Sequence, residues 1–133
     1  MELLVVVIII GILAAVAVPI YLNQRKSAWK SSVESDVKNA SLALETYSTQ
    51  HNGSFKGIFA SGNTGTYKVG KNNPGKLGDQ DITVSADNTI TVTIGADNNS
   101  YTIKGTNSNV TGNGSVCTYS SADGTMSWGN PTA

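Results

Sequence analysis

Hydrophobic and polar positions divide the chain into three stretches. From Leu3 to Leu22 twenty residues run without a charge, rich in Val, Ile and Leu. As an α-helix that run is about 30 Å long, the thickness of a bilayer hydrocarbon core. A domain of this size cannot enclose such a segment, so it belongs in lipid or against other chains. The polar residues Asn23, Gln24, Arg25 and Lys26 end it. Helical spacing then continues, with Trp29, Val33, Val37, Ala40, Leu44 and Tyr47 at steps of four, four, three, four and three. This is one apolar stripe on a helix that is polar elsewhere. Glu34 and Lys38 sit four apart with the acid first, the better order for a surface pair. Asn52-Gly53 supplies a C-terminal stop. One helix from Glu2 to about His51 would span about 75 Å.

After residue 53 the period changes to two. Ile82 and Val84, then Ile90, Val92 and Ile94, then Tyr101 and Ile103 alternate with polar residues, which predicts three strands with one buried face. Setting Val84 opposite Ile90 leaves Ala86-Asp87-Asn88 as a loop with Asn88 left-handed, and setting Ile94 opposite Tyr101 leaves Asp97-Asn98 as a two-residue loop. Val116–Tyr119 and Thr125–Trp128 form a further pair joined through Ser121-Ala122-Asp123-Gly124. The Gly- and Asn-rich stretch from Phe55 to Gly78 predicts a long connection with a short strand near Tyr67. The fold class is therefore α+β. A long N-terminal helix (residues 1–52, apolar over 1–22) packs its second half on a small antiparallel β-sheet domain (residues 53–133).

Gly11 and Pro19 weaken the helix around the apolar run, by about 1 and about 3 kcal/mol relative to Ala. Pro19 also removes a donor and crowds the carbonyl of Ala15. Glu2 places a carboxylate at the far end, where it needs a head-group layer or a cation. A cleaved signal peptide fits poorly, because Glu2 is an acid and the run exceeds the usual signal core.

Met1-Glu2-Leu3-Leu4-Val5-Val6-Val7, followed by Gly11-Ile12-Leu13-Ala14-Ala15-Val16-Ala17-Val18-Pro19, closely resembles the N-terminal signature of type IV pilins, which the pseudopilins of type II secretion share. The match covers about the first 25 residues. In that family a short basic leader ending in Gly and a few further residues precede the acid; the sequence from Met1 carries none of these. The resemblance implies a pilin-like shape and a precursor held in the cytoplasmic membrane by its apolar segment. A prepilin peptidase and inner-membrane assembly machinery then act on it, and it becomes a homopolymeric extracellular filament on the bacterial surface. Carried over by position, Glu2 neutralises the N-terminal amine of a neighbouring subunit. Gly11 to Pro19 is the stretch that unwinds on assembly, and Leu3, Leu4, Val7, Ile10, Leu13 and Val16 lie in the filament core. Filaments of this family serve adhesion, motility, DNA uptake or secretion, according to motors and partners outside this chain. Arg25, Lys26 and Lys30 alone would place the C-terminal side in the cytoplasm. The family orientation is the reverse, and the motif is the more specific signal.

Composition adds little that conflicts. The 133 residues carry zero formal net charge and only 14% are charged, so nothing calls for nucleic acid as an obligate partner. Cys117 is the only cysteine and makes no internal disulfide; a small buried hydrophobe is its expected role. Many family members close a C-terminal loop with a disulfide, so here that loop must be held otherwise.

Gly70-Lys71-Asn72-Asn73-Pro74-Gly75-Lys76-Leu77 approaches a phosphate loop, but Leu77 stands where a hydroxyl would hold magnesium. With one His, His51, and one Cys there is no zinc set; His51 is expected to cap the helix end. Asp79, Asp81, Asp87, Asp97 and Asp123 lack calcium-loop spacing and suit turns. Asn-X-Ser/Thr triplets at Asn39, Asn52, Asn98, Asn109 and Asn113 are expected by chance in so polar a chain. The sequence thus predicts no enzyme, cofactor, catalytic residue or metal site. Two alternatives remain open at this level. One is a pseudopilin, which a calcium ion in the β-domain would favour. The other is a monomeric membrane-anchored binding domain, which predicts no self-assembly.

Overall fold

The computed structural model describes residues 2–59, 62–68, 71–73 and 76–131. A single helix α1, Glu2–Gln50, is followed by strands β1 Thr64–Lys68, β2 Lys71–Asn73, β3 Asn88–Ile94, β4 Tyr101–Asn107, β5 Val116–Ser120 and β6 Thr125–Gly129. The strands form one antiparallel sheet in the order β2-β1-β3-β4-β5-β6. The fold is α+β, with the second half of α1 laid across the sheet, chiefly over β4.

Where α1 meets the sheet, Val33, Val37, Ala40, Ala43, Leu44 and Tyr47 are buried. The predicted stripe is therefore real from Val33 onward; Trp29 is only half-buried. The close approach depends on Gly105 in β4. A Cβ there would lie 2.6 Å from Val33 Cγ1 and 2.7 Å from Val37 Cγ2. From the sheet side come Tyr67, Ile90, Val92, Ile94, Tyr101, Ile103 and Cys117, all on the inner face by period-two alternation. Phe55, Ile58, Phe59, Leu77, Ile82 and Val84 close the flank from the connections.

The helix ends as Asn52-Gly53 predicts. Asn52 takes φ 58° and the Gly53 N–H donates to Ser48 O at 2.7 Å, which satisfies a carbonyl the last turn would otherwise leave open. His51 caps the same end: its Nδ1 lies 2.9 Å from Tyr47 O and its ring stacks on Tyr47 at 3.9 Å. The register Ile94 opposite Tyr101 is as expected, and so is the β5–β6 hairpin through Ser121–Gly124.

Three expectations need correction. The segment 81–85 is not a strand, because both edges of β3 are taken, by β1 and β4. Its Ile82 and Val84 still point into the core, while the Ser85 N–H donates to Asp36 Oδ2 on the helix at 2.8 Å. Asp87, not Asn88, is left-handed, with φ 66°; Asn88 opens β3 and is buried. The loop between β3 and β4 is wider than two residues. Both primed two-residue turns need positive φ at the first position, here Asp97, and only Asn98 has it. The Asn98 N–H donates to Gly95 O, and the Gly95 N–H to Ser100 O, closing the loop around Ala96–Asn99.

The candidate functional site: an exposed apolar helix and its junction

The first half of α1 has no partner in the monomer. Fifteen large apolar side chains between Leu3 and Leu22 are each more than half exposed, Leu3 at 78%. This is the one helix among the described residues long and apolar enough to cross a membrane, and none of its most apolar stretch is buried. Leu3, Leu4, Val7, Ile10, Leu13 and Val16 are all exposed, as is every other residue from Leu3 to Leu22, so the run is open all round the helix. Burying each of the fifteen, already half-shielded by its helical neighbours, releases about 1 kcal/mol, so the whole surface is worth on the order of 15 kcal/mol to whatever covers it.

Glu2 stands exposed in the first turn, where the helix dipole favours an acid. Gly11 and Pro19 both lie inside continuous helix. A Cβ at Gly11 would meet nothing within 4 Å, so no packing within the monomer requires glycine there. The three residues sit along one exposed rod, and the monomer itself brings none of them against another group.

At the junction between rod and domain, aromatic and cationic side chains interleave. The Arg25 guanidinium lies 4.9 Å from the Trp29 ring centre and 5.7 Å from that of Tyr21. Lys30 Nζ is 4.8 Å over the ring of Trp128 in β6, and Trp128 Nε1 donates to Glu34 Oε1 at 2.7 Å. Glu34, expected to pair with Lys38, serves the terminal strand instead. Thus Trp128 fastens β6 to the helix. Cys117 is fully buried in neighbouring β5 as a free thiol. Burial, with the Glu34 charge adding to it, pushes this thiol up to about 11.

A buried polar cluster fixes the helix on the sheet. Asp36 accepts from the Ser85 N–H at 2.8 Å, Ser85 Oγ at 3.0 Å and Asn88 Nδ2 at 2.7 Å. Asn88 also donates to Ser32 Oγ and accepts from Asn107 Nδ2 at 2.6 Å. Asn107 Oδ1 accepts from the Asn109 N–H. Sequence reasoning missed this cluster, although Asp36 falls three residues after Val33 and one before Val37, inside the apolar stripe. Farther along, the Tyr101 hydroxyl donates to Glu45 Oε1 at 2.8 Å; burial first, then that carboxylate, raise its pKa strongly.

The acids of the turns do turn work: Asp97 Oδ1 accepts from the Asn99 N–H and Ser100 Oγ. Asp81 pairs with Lys76 at 3.7 Å. Among the described residues no group of three metal-ligating side chains comes together. Leu77 of the phosphate-loop lookalike is fully buried in the core, while Gly70, Pro74 and Gly75 lie outside the described residues.

The outer face of the sheet is rich in hydroxyls. Thr64, Thr93, Thr102, Ser120 and Thr125 lie side by side across five strands, and Thr66, Thr91, Lys104, Thr118 and Ser127 form the next row. No family model matches the chain, and no curated protein or solved structure matches it at a significant level.

Proposed function

We propose that this chain is the structural subunit of a type IV pilus-like helical filament, held in the cytoplasmic membrane before assembly and extracellular afterwards. The observation that carries this reading is the uncharged rod from Leu3 to Leu22, exposed on every side beyond a domain that covers only the other half of its helix. A surface worth on the order of 15 kcal/mol needs lipid or copies of itself. A filament offers both in turn, because identical rods bundled side by side replace the bilayer that first held them. The placement of Glu2, Gly11 and Pro19 along that rod supports the resemblance to pilins, and the Thr- and Ser-rich outer sheet face suits the solvent side of a polymer.

The mechanism is mechanical. Apolar burial between rods holds the core without directional preference, so it gives strength but little register. Register comes from Glu2, whose carboxylate enters an apolar bundle only beside a cation, the N-terminal amine of a neighbour. Gly11 to Pro19 supplies the weak stretch of helix that yields on assembly. No catalytic step is involved.

The test is Glu2→Gln, which keeps size and removes charge. Cells making the variant should hold normal amounts of the chain in the membrane fraction and yield at least tenfold fewer sheared filaments. A loss of about 1.4 kcal/mol per subunit contact suffices for tenfold. Unchanged filament yield would remove Glu2 from the mechanism. A chain that remains a membrane-bound monomer, in native and variant form alike, would make it an anchored binding domain.

A further inference from the structure

We propose that the junction of rod and domain is a contact for anionic phospholipid head groups, and that Trp128 of β6 completes it, so that the terminal strand rests on the bilayer before assembly. The proposal rests on the membrane-held precursor described above and adds to it a partner chemistry and an orientation.

Tyr21 lies at the end of the apolar run, and Arg25, Trp29 and Lys30 follow it within eight residues. The run itself is as long as the hydrocarbon core is thick, about 30 Å, and each head-group layer adds about 5–8 Å. At about 1.5 Å per residue, Arg25 stands about 5 Å and Lys30 about 12 Å beyond Leu22. Arg25 therefore falls in the head-group layer, and Lys30 stands about 4–7 Å past it, near enough for its long side chain to reach back to the phosphates. Aromatic rings with cations on their faces are what that layer selects: the rings sit at the boundary and long basic side chains reach phosphates.

The sheet contributes from one end only. Asn88 bonds Ser32 and Asp36, while Tyr101 at the opposite end of the sheet bonds Glu45. Hence the end carrying Asn88, Asn107, Val116 and Gly129 faces the rod. The loop there, residues 108–115, contains no charged residue. Trp128 lies at this end, half-buried, clamped between Lys30 and Glu34. The acids at this end are Glu34, which accepts from Trp128, Asp87, which accepts from Asn109 at 3.3 Å, and Asp36, buried between helix and sheet where Ser85 and Asn88 donate to it. The cations are Arg25, Lys26 and Lys30 on the helix and Lys68, opposite Thr89 in the sheet. Asp36 is engaged inside the helix–sheet cluster, so the junction that follows the apolar run keeps Arg25, Lys26 and Lys30 beside Glu34, a positive balance that favours an anionic surface over a neutral one.

The test uses the full chain reconstituted into vesicles of phosphatidylcholine alone or mixed with phosphatidylglycerol. In a Trp29→Phe background, whose melting is checked first, Trp128 is the only tryptophan. With the anionic lipid, Trp128 should be quenched by lipids brominated near the head group and shielded from aqueous acrylamide. Without it, shielding should be weaker. Replacing Arg25 and Lys30 by Gln should abolish the difference, with the docking equilibrium falling about five-fold per cation removed. Equal shielding in both vesicle types, in a chain that still floats with them, overturns the contact and leaves the anchor standing. A chain that fails to float with either overturns the anchor as well.

Discussion

Replacing Asp36 by Ala should unfasten the helix from the sheet without touching the exposed rod. Asp36 is 3% exposed and accepts three hydrogen bonds from Ser85 and Asn88. Bonds to a charged group contribute about 1.5–3 kcal/mol each, but Ser85 is half-buried and water can reach its donors once the carboxylate is gone. Asn88 Nδ2 also keeps Ser32 Oγ at 3.0 Å. The expected net cost is therefore about 3 kcal/mol, less than three full bonds, and Tm should fall by on the order of 10 °C. The assay must follow the β-domain. In detergent micelles the apolar half of α1 stays helical whatever the domain does, so far-ultraviolet signal is a poor probe. Near-ultraviolet circular dichroism of the full chain reports the packed Tyr67, Tyr101 and Tyr119. An Asn88→Ala variant and the double variant complete a cycle, in which Asp36 and Asn88 should couple by about 1.5 kcal/mol or more. Strict additivity, or a cost below about 0.5 kcal/mol for Asp36→Ala, would refute the view that this cluster fastens helix to sheet.

Gly105→Ala should cost about 1–3 kcal/mol in the same unfolding assay, since its Cβ would collide with the stiff side chains of Val33 and Val37. Gly129→Ala in β6 meets nothing within 4 Å and should be close to neutral; equal effects would contradict the packing described. Alkaline stability should be limited first by Cys117. Its folded pKa is raised from 9.0 to about 11, so stability is full below pH 9 and falls as pH rises to about 11, by about 2–3 kcal/mol. Tyr67, raised from 10.0 to about 12, adds its own loss above pH 10. Cys117→Ala should flatten urea-midpoint profiles between pH 9 and 10; an unchanged slope would count against a thiol held protonated by burial.

Much of the fold was legible because two periods are written plainly in the sequence. The stripe from Val33 to Tyr47, the pairing of Ile94 with Tyr101 and the Asp123-Gly124 hairpin each follow from local pattern and turn chemistry. What local pattern cannot supply is the competition for strand edges. Ile82 and Val84 alternate as a strand should, yet β1 arrives from far along the chain and takes the edge of β3 they would have used. The three Ala-Asp turns look alike in sequence, and two close hairpins; the one at Ala86-Asp87 instead delivers Ser85 and Asn88 to Asp36. The rod's residues were legible as types and spacings, because Glu2, Gly11 and Pro19 are anomalies in an otherwise uniform apolar run. The junction was half legible. Arg25 and Lys30 stand out after the run, but only the folded sheet brings Trp128 beside Lys30 and Glu34, roughly a hundred residues away in sequence.

Electron microscopy of filaments sheared from the producing cells, with mass spectrometry of their N-terminus, tests the central claim most directly. The account predicts long helical filaments built of this chain, with the apolar rods in their core and Glu2 near the processed N-terminus. A chain that stays in the membrane fraction as a monomer, with no filaments, would contradict it.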